Sequence, residues 1–186
     1  MLFKANIMLF IILLSGALHA KINSGLWSAG CMKGLIKEQT YQNDTDVSLV
    51  EYFHQDAQCQ DKSFQFQTSG YVVYSNEQNN FINFIYEKIQ LTVFKQNVID
   101  DFNSRKVCGY NSWAKAQAQN ITGLKCALFN TSKEVQIPEV ADQKFGIYQL
   151  ENNKLYFGKL TQSYDGSAPD KRPQQIDKLT EYIFQN

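Results

Sequence analysis

Gly25-Leu26-Trp27-Ser28-Ala29-Gly30-Cys31 decides how the rest of the chain reads. It is a β-type segment that carries one of two tryptophans and ends on a cysteine. A large aromatic at the start of a first strand can plug one end of a barrel or sandwich. A cysteine a few residues later can tie that strand to something downstream. The remainder of the chain reads as short strands closing around this anchor.

Leu35 to Gln42 and Val47 to His54 are the next two strands, joined by the turn-forming Asn43-Asp44-Thr45-Asp46. In Ser63 to Ser75, Phe64 and Phe66 alternate with Gln65 and Gln67, a half-buried pattern. Gly70 marks a bulge or sharp bend inside that run. After the polar turn Asn76–Asn80 comes the longest strand signal, Phe81 to Phe94. Its odd positions from Ile85 run Ile85, Glu87, Ile89, Leu91 and Val93, so one face is apolar except for Glu87. Val98 to Lys106 reads as a short helical or irregular segment. Ala114 to Thr122 has too few large apolar residues for a core strand, and Thr131–Gln143, with Pro138, reads as a loop. Phe145 to Leu150 and Leu155 to Leu160 form a hairpin through Glu151-Asn152-Asn153-Lys154. Thr161–Gln174 is a long loop, and a final strand runs from Leu179 to Phe184. Eight or nine strands with at most one short helix and no βαβ rhythm solve their edge problem by closing into a barrel or doubling into a sandwich.

Upstream of the anchor, Met1-Leu2-Phe3-Lys4 gives a charged start, Ile7 to Leu14 is unbroken and apolar, and Ser15 to Ala20 is a small-residue exit. That is the three-part layout of a secretory signal peptide, with cleavage expected after Ala20 in preference to Ala17. The apolar run is too short for a comfortable membrane span. Residues 21–186 are then one domain. Export places all four cysteines in an oxidising setting. Of three possible pairings, the sequential one, Cys31 with Cys59 and Cys108 with Cys126, closes the shortest loops and is expected. It would pin the start of the first strand near the end of the third, and bracket Trp113 with the second bridge. A zinc site fits poorly: no C-x-x-C pair is present, and beyond the signal only His54 remains.

The 18 basic and 18 acidic residues cancel. A near-neutral chain without a basic stripe is a poor partner for nucleic acid or anionic membrane.

The opening Gly25-x-Trp27 resembles that of lipocalin-like barrels. A fuller set adds Cys31, Cys59, Cys108-Gly109-x-x-x-Trp113, Ile121-Thr122-Gly123, Leu155-Tyr156-Phe157-Gly158, Arg172-Pro173 and the closing Tyr182 strand. This set resembles a group of uncharacterised secreted bacterial proteins. Its cysteine and tryptophan layout is similar to the extracellular lipid-binding domain of the adenomatosis-polyposis-coli down-regulated Wnt inhibitors. The resemblance implies an all-β, antiparallel, eight- or nine-stranded lipocalin-like barrel with a short helical segment, open at one end to a small apolar ligand.

Catalysis would need constellations that the chain offers only weakly. A nucleophile needs a base in reach, and His54 reads as a strand-end surface residue. Carboxylate pairs for glycoside hydrolysis could come from Asp44 with Asp46, Asp100 with Asp101, or Asp165 with Asp170, but all lie in turns or loops, where Asp is a common cap. Calcium binding by Asp165–Asp170 misses the twelve-residue spacing. No catalytic residues, metal or cofactor are expected. The expected pocket comprises Phe64, Phe66, Phe84, Glu87, Ile89, Leu91, Ile147 and Phe157, with Leu155 beside them. Glu87 would meet a ligand's polar end if its face points inward; a register change would instead turn it to solvent.

The reading is therefore an exported binding protein, secreted or periplasmic, for a small hydrophobic ligand or lipid. The alternative is a structural or protein-interaction module with a filled core, acting through Thr131–Gln143 and Thr161–Gln174.

Overall fold

A computed structural model describes residues 21–75, 80–128 and 133–185. The expected signal peptide, residues 1–20, and most of the turn at 76–80 lie outside the described residues. The strands are β1 (Gly25–Met32), β2 (Leu35–Gln42), β3 (Asp46–His54), β4 (Lys62–Tyr74), β5 (Phe81–Val93), β6 (Ala118–Asn120), β7 (Lys125–Cys126), β8 (Val135–Gln136), β9 (Gln143–Glu151), β10 (Lys154–Phe157) and β11 (Tyr182–Gln185). A helix, α1 (Gln96–Arg105), follows β5.

Eight of these strands close an antiparallel barrel in the order β1-β2-β3-β4-β5-β9-β10-β11 and back to β1. β6 is an extra strand, laid beside β5. The turns are set by their residues. Asn43 and Asp44 hold φ of 49° and 62° between β2 and β3, and Asn152 and Asn153 hold 51° and 60° between β9 and β10. Asn and Asp are the non-glycine residues that tolerate this left-handed region best.

β5 changes partner along its length. Phe81–Ile85 pair with β9, whereas Gln90–Thr92 pair with β6. Its pairing with β4 also shifts, from Ser69 opposite Lys88 to Gly70 opposite Tyr86, leaving Glu87 as the extra residue. A β-carbon on Gly70 would lie 2.0 Å from the Ile85 carbonyl oxygen, so only glycine permits this close approach. The bulge corrects the sequence-based face assignment. Ile82, Phe84 and Tyr86 share the inner side before it, and Ile89, Leu91 and Val93 after it. Ile85 therefore does not share a face with Ile89.

Two buried clusters result. Trp27, Tyr41, Val47, Val72, Ile82, Tyr148, Leu155 and Tyr182 seal one end of the barrel. Trp27 is 1% exposed; its indole N–H donates to the Asn23 carbonyl at 3.0 Å, and Phe184 of β11 meets it edge-on. The second cluster joins Ile89, Leu91 and Val93 to Ile99 and Phe102 of α1, with Trp113, Ile121 and Cys126. Here the segment between β5 and β9 folds over the barrel's other end. Asn103 clamps it: its side chain donates to the Trp113 carbonyl at 3.0 Å and accepts the Trp113 N–H at 2.7 Å.

Both expected disulfides are formed, Cys31–Cys59 and Cys108–Cys126. Cys31 lies near the end of β1 rather than its start, so the first bridge ties that end to the loop after β3. The second brackets Trp113 as expected. β9 starts two residues earlier than expected, the short β8 lies inside the stretch 131–143 read as a loop, and the largest shifts in strand bounds fall on β10 and β11. β10 ends at Phe157; Gly158, pressed against Pro173 and Ile147 where any side chain would clash, donates its N–H to the Ile147 carbonyl and makes an isolated bridge with Ile176. The last strand begins at Tyr182 because the Asp177 carboxylate accepts the Leu179 N–H and the Thr180 hydroxyl, holding a turn where a strand was expected.

Candidate functional site

Strand alternation sends every second residue of the barrel inward. From β2 these are Lys37, Gln39 and Tyr41; from β3, Leu49 and Glu51; from β4, Phe66, Thr68 and Val72; from β5, Ile82, Phe84 and Tyr86. Together with Gly146 of β9, Phe157 of β10 and Tyr182 of β11 they surround a cavity of about 690 Å³. Its mouth lies under the connection after β10, where Lys159, Leu160, Pro173, Asp177 and Leu179 border it. Leu160 and Leu179 are 57% and 90% exposed there.

The cavity wall is polar on one side. Lys37 and Glu51 stand opposite each other in the β2–β3 register, with Nζ and Oε1 2.8 Å apart. Burial alone would lower the Lys37 pKa, but the Glu51 carboxylate holds it above the usual lysine value. The Tyr41 hydroxyl donates to Gln39 Oε1 at 2.7 Å, and Tyr182 borders the same cavity. Burial pushes Tyr41 well up, Tyr86 up to about 12, and Tyr182 upward as well. These phenols are neutral hydrogen-bonding groups at any ordinary pH.

A second, smaller cavity of about 330 Å³ lies between α1 and the barrel, bordered by Phe64, Leu91, Val98, Phe102, Arg105 and Leu128. Arg105 is fully engaged around it: Nε and Nη2 donate to Asp101 at 2.9 and 2.5 Å, and Nη1 donates to the Ala127 carbonyl at 2.7 Å.

The residues expected to form one pocket are divided between these places. Phe66, Phe84, Ile147 and Phe157 border the large cavity. Phe64 and Leu91 border the small one, and Ile89 is buried in the core beside it. Leu155 is fully buried at the sealed end. Glu87 is exposed at the β5 bulge, away from both cavities. Lys37, Gln39, Tyr41, Glu51 and Tyr182 join the wall although the sequence does not single them out. In Leu35–Gln42 neither face is apolar, so alternation alone gives no inward side; the Asn43–Asp46 turn, which sets Tyr41 opposite Val47, is the available signal.

Four of the six carboxylates considered for catalysis have local hydrogen-bond partners, and Asp44 pairs with Lys21 at 3.9 Å. Asp46 accepts from the Asn43 amide, Asp100 from Gln96, Asp101 from Arg105, and Asp165 from the Ser167 N–H. His54 ends β3 with Nδ1 3.2 Å from the Gly34 carbonyl. Among the described residues no three His, Cys, Asp or Glu side chains converge as a metal would need, and no helix is long and apolar enough to cross a membrane. A scan against models of known protein families finds no match, and a search of curated protein sequences finds none either.

Proposed function

We propose that this protein is exported to an oxidising compartment and carries a small hydrophobic molecule or lipid inside its barrel. The supporting observation is the 690 Å³ cavity, within the size range of small-molecule pockets and walled largely by Leu49, Phe66, Val72, Ile82, Phe84 and Phe157. An eight-stranded barrel is just wide enough to fill with side chains or to hold one small guest. Gly146 and the small Thr68 leave room on this wall. The two disulfides suit an exported protein.

The test is titration of the purified protein with the uncharged dye N-phenyl-1-naphthylamine. Saturable one-site uptake with a blue-shifted emission is expected. Gly146 has ordinary van der Waals space for a β-carbon and faces inward beside Ile82. Gly146→Leu would therefore fill the cavity and weaken dye binding at least tenfold. Failure to take up this dye or a panel of lipids would remove the reading.

A second reading, a protein-interaction module acting through its loops, draws on the exposed Leu160 and Leu179 beside the Thr161–Gln174 loop. Recovery of one stoichiometric protein partner, lost on Leu160→Ser with Leu179→Ser, would favour it.

A further inference from the structure

The inner wall is divided lengthwise, which limits the kind of guest it can satisfy. Lys37, Gln39 and Tyr41 alternate along β2 and span about 13 Å of one edge at the strand rise. Tyr182 borders the same cavity, and Glu51 joins this edge through Lys37. The wall built by β4, β5 and β10 is apolar, carried by Phe66, Val72, Ile82, Phe84 and Phe157 and broken by the hydroxyls of Thr68 and Tyr86.

The polar edge has no spare charge. Lys37 and Glu51 neutralise each other at 2.8 Å, and Gln39, Tyr41 and Tyr182 are uncharged. A carboxylate brought to this edge must displace Glu51 from Lys37 and leave it facing a like charge. A plain alkyl chain fares little better, because it strips water from Gln39 and Tyr182 and returns no hydrogen bond. Tyr182 borders the cavity, and its phenol carries an O–H that an acceptor on a guest can receive.

Building on the proposed cavity function, we infer that the guest is uncharged and facially amphipathic: a rigid apolar body carrying two or more hydroxyl or amide groups along one side. The body packs on Phe66 and Phe84 while the polar side lies along β2. Fatty acids, with one charged end and a featureless chain, are disfavoured.

Displacement of bound N-phenyl-1-naphthylamine tests this with three compounds. Methyl cholate has three hydroxyls on one face and no charge, cholesterol has one terminal hydroxyl, and palmitate has a carboxylate. Each added neutral hydrogen bond is worth about fivefold in affinity. Methyl cholate should therefore half-displace the dye at roughly tenfold or more lower concentration than either competitor. Tyr182→Phe removes one hydroxyl without changing shape, and should cut the methyl cholate to cholesterol affinity ratio about fivefold. Gln39→Leu should cut it at least as far, with thermal unfolding confirming that each variant folds. Equal or tighter binding of palmitate overturns the inference, above all if Lys144→Met with Lys159→Met, at two lysines that border the cavity, weakens it, since an anionic head would then sit beside them. An unchanged ratio in Tyr182→Phe overturns it too. Each of these failures leaves dye uptake intact, whereas absence of dye uptake removes the cavity function and this inference with it.

Discussion

Gly70 and Glu87 meet at the step where β4 and β5 change register, and they carry opposite consequences. Gly70→Ala places a methyl group 2.0 Å from the Ile85 carbonyl oxygen, a clash that backbone must absorb. A loss of about 3 kcal/mol is expected in denaturant unfolding, in the range of severe backbone substitutions. Glu87→Gln touches an exposed side chain outside both cavities, so stability should move by less than about 0.5 kcal/mol and dye binding should not change. A binding defect in Glu87→Gln would restore it as a ligand contact. The glycine is legible in the sequence because a glycine inside a strand pattern already signals a bulge. The fate of Glu87 is not: one extra residue reverses every side chain beyond it, and the alternation in Phe81–Phe94 is equally regular in either register.

The two disulfides differ in setting. Cys31 is exposed and its bridge reaches the loop after β3, whereas Cys126 is fully buried and Cys108 nearly so, within the core around Trp113. Mild reductant followed by alkylation and mass spectrometry should label Cys31 and Cys59 first, with Cys108 and Cys126 protected until the protein unfolds. Chain-entropy estimates make each bridge worth about 3 to 4 kcal/mol, so buried context and not loop length separates them. Simultaneous labelling of all four would contradict the packing around α1. Strands whose hydrophobic alternation is reinforced by a turn signal, such as Val47 to His54, match their sequence reading closely. Strands shorter than their sequence reading do not: past Phe157, Gly158 packs against the distant Pro173, and Leu179 is diverted by the Asp177 carboxylate two residues before it. The first partner is tertiary, and the sequence around it carries no trace of the meeting; the second is a local turn that overrides the alternation following it. The site divides the same way. Phe66, Phe84 and Phe157 are visible as apolar positions, whereas Lys37, Gln39 and Glu51 look like surface residues until the barrel closes over them.

Closure also gives the molecule a characteristic alkaline limit. Burial raises Tyr41 well above its ordinary value, Tyr74 and Tyr86 to about 12, and Tyr182 as well. A group whose pKa is raised by folding contributes its full stability below its unfolded pKa, about 10 for tyrosine, and loses that contribution as pH climbs toward the folded value. Stability should therefore hold to about pH 10 and fall from there to about pH 12, with phenolate absorbance from the buried tyrosines rising together with unfolding. Early, non-cooperative ionisation of all tyrosines would mean that water reaches the interior. The acid side has the opposite sign. Asp101 is held low by its hydrogen bonds to Arg105 and Glu181 by Lys154, so their contributions persist at neutral pH and vanish as pH drops below the carboxylate range, about 4. Finally, β1 and β11 are neighbours, with Trp27 opposite Phe184. The strand that sews the seam is thus the last of the eight to leave the ribosome. Until it arrives, Trp27 lacks the Phe184 ring and the sheet keeps two unpaired edges, so closure of the barrel waits on this strand.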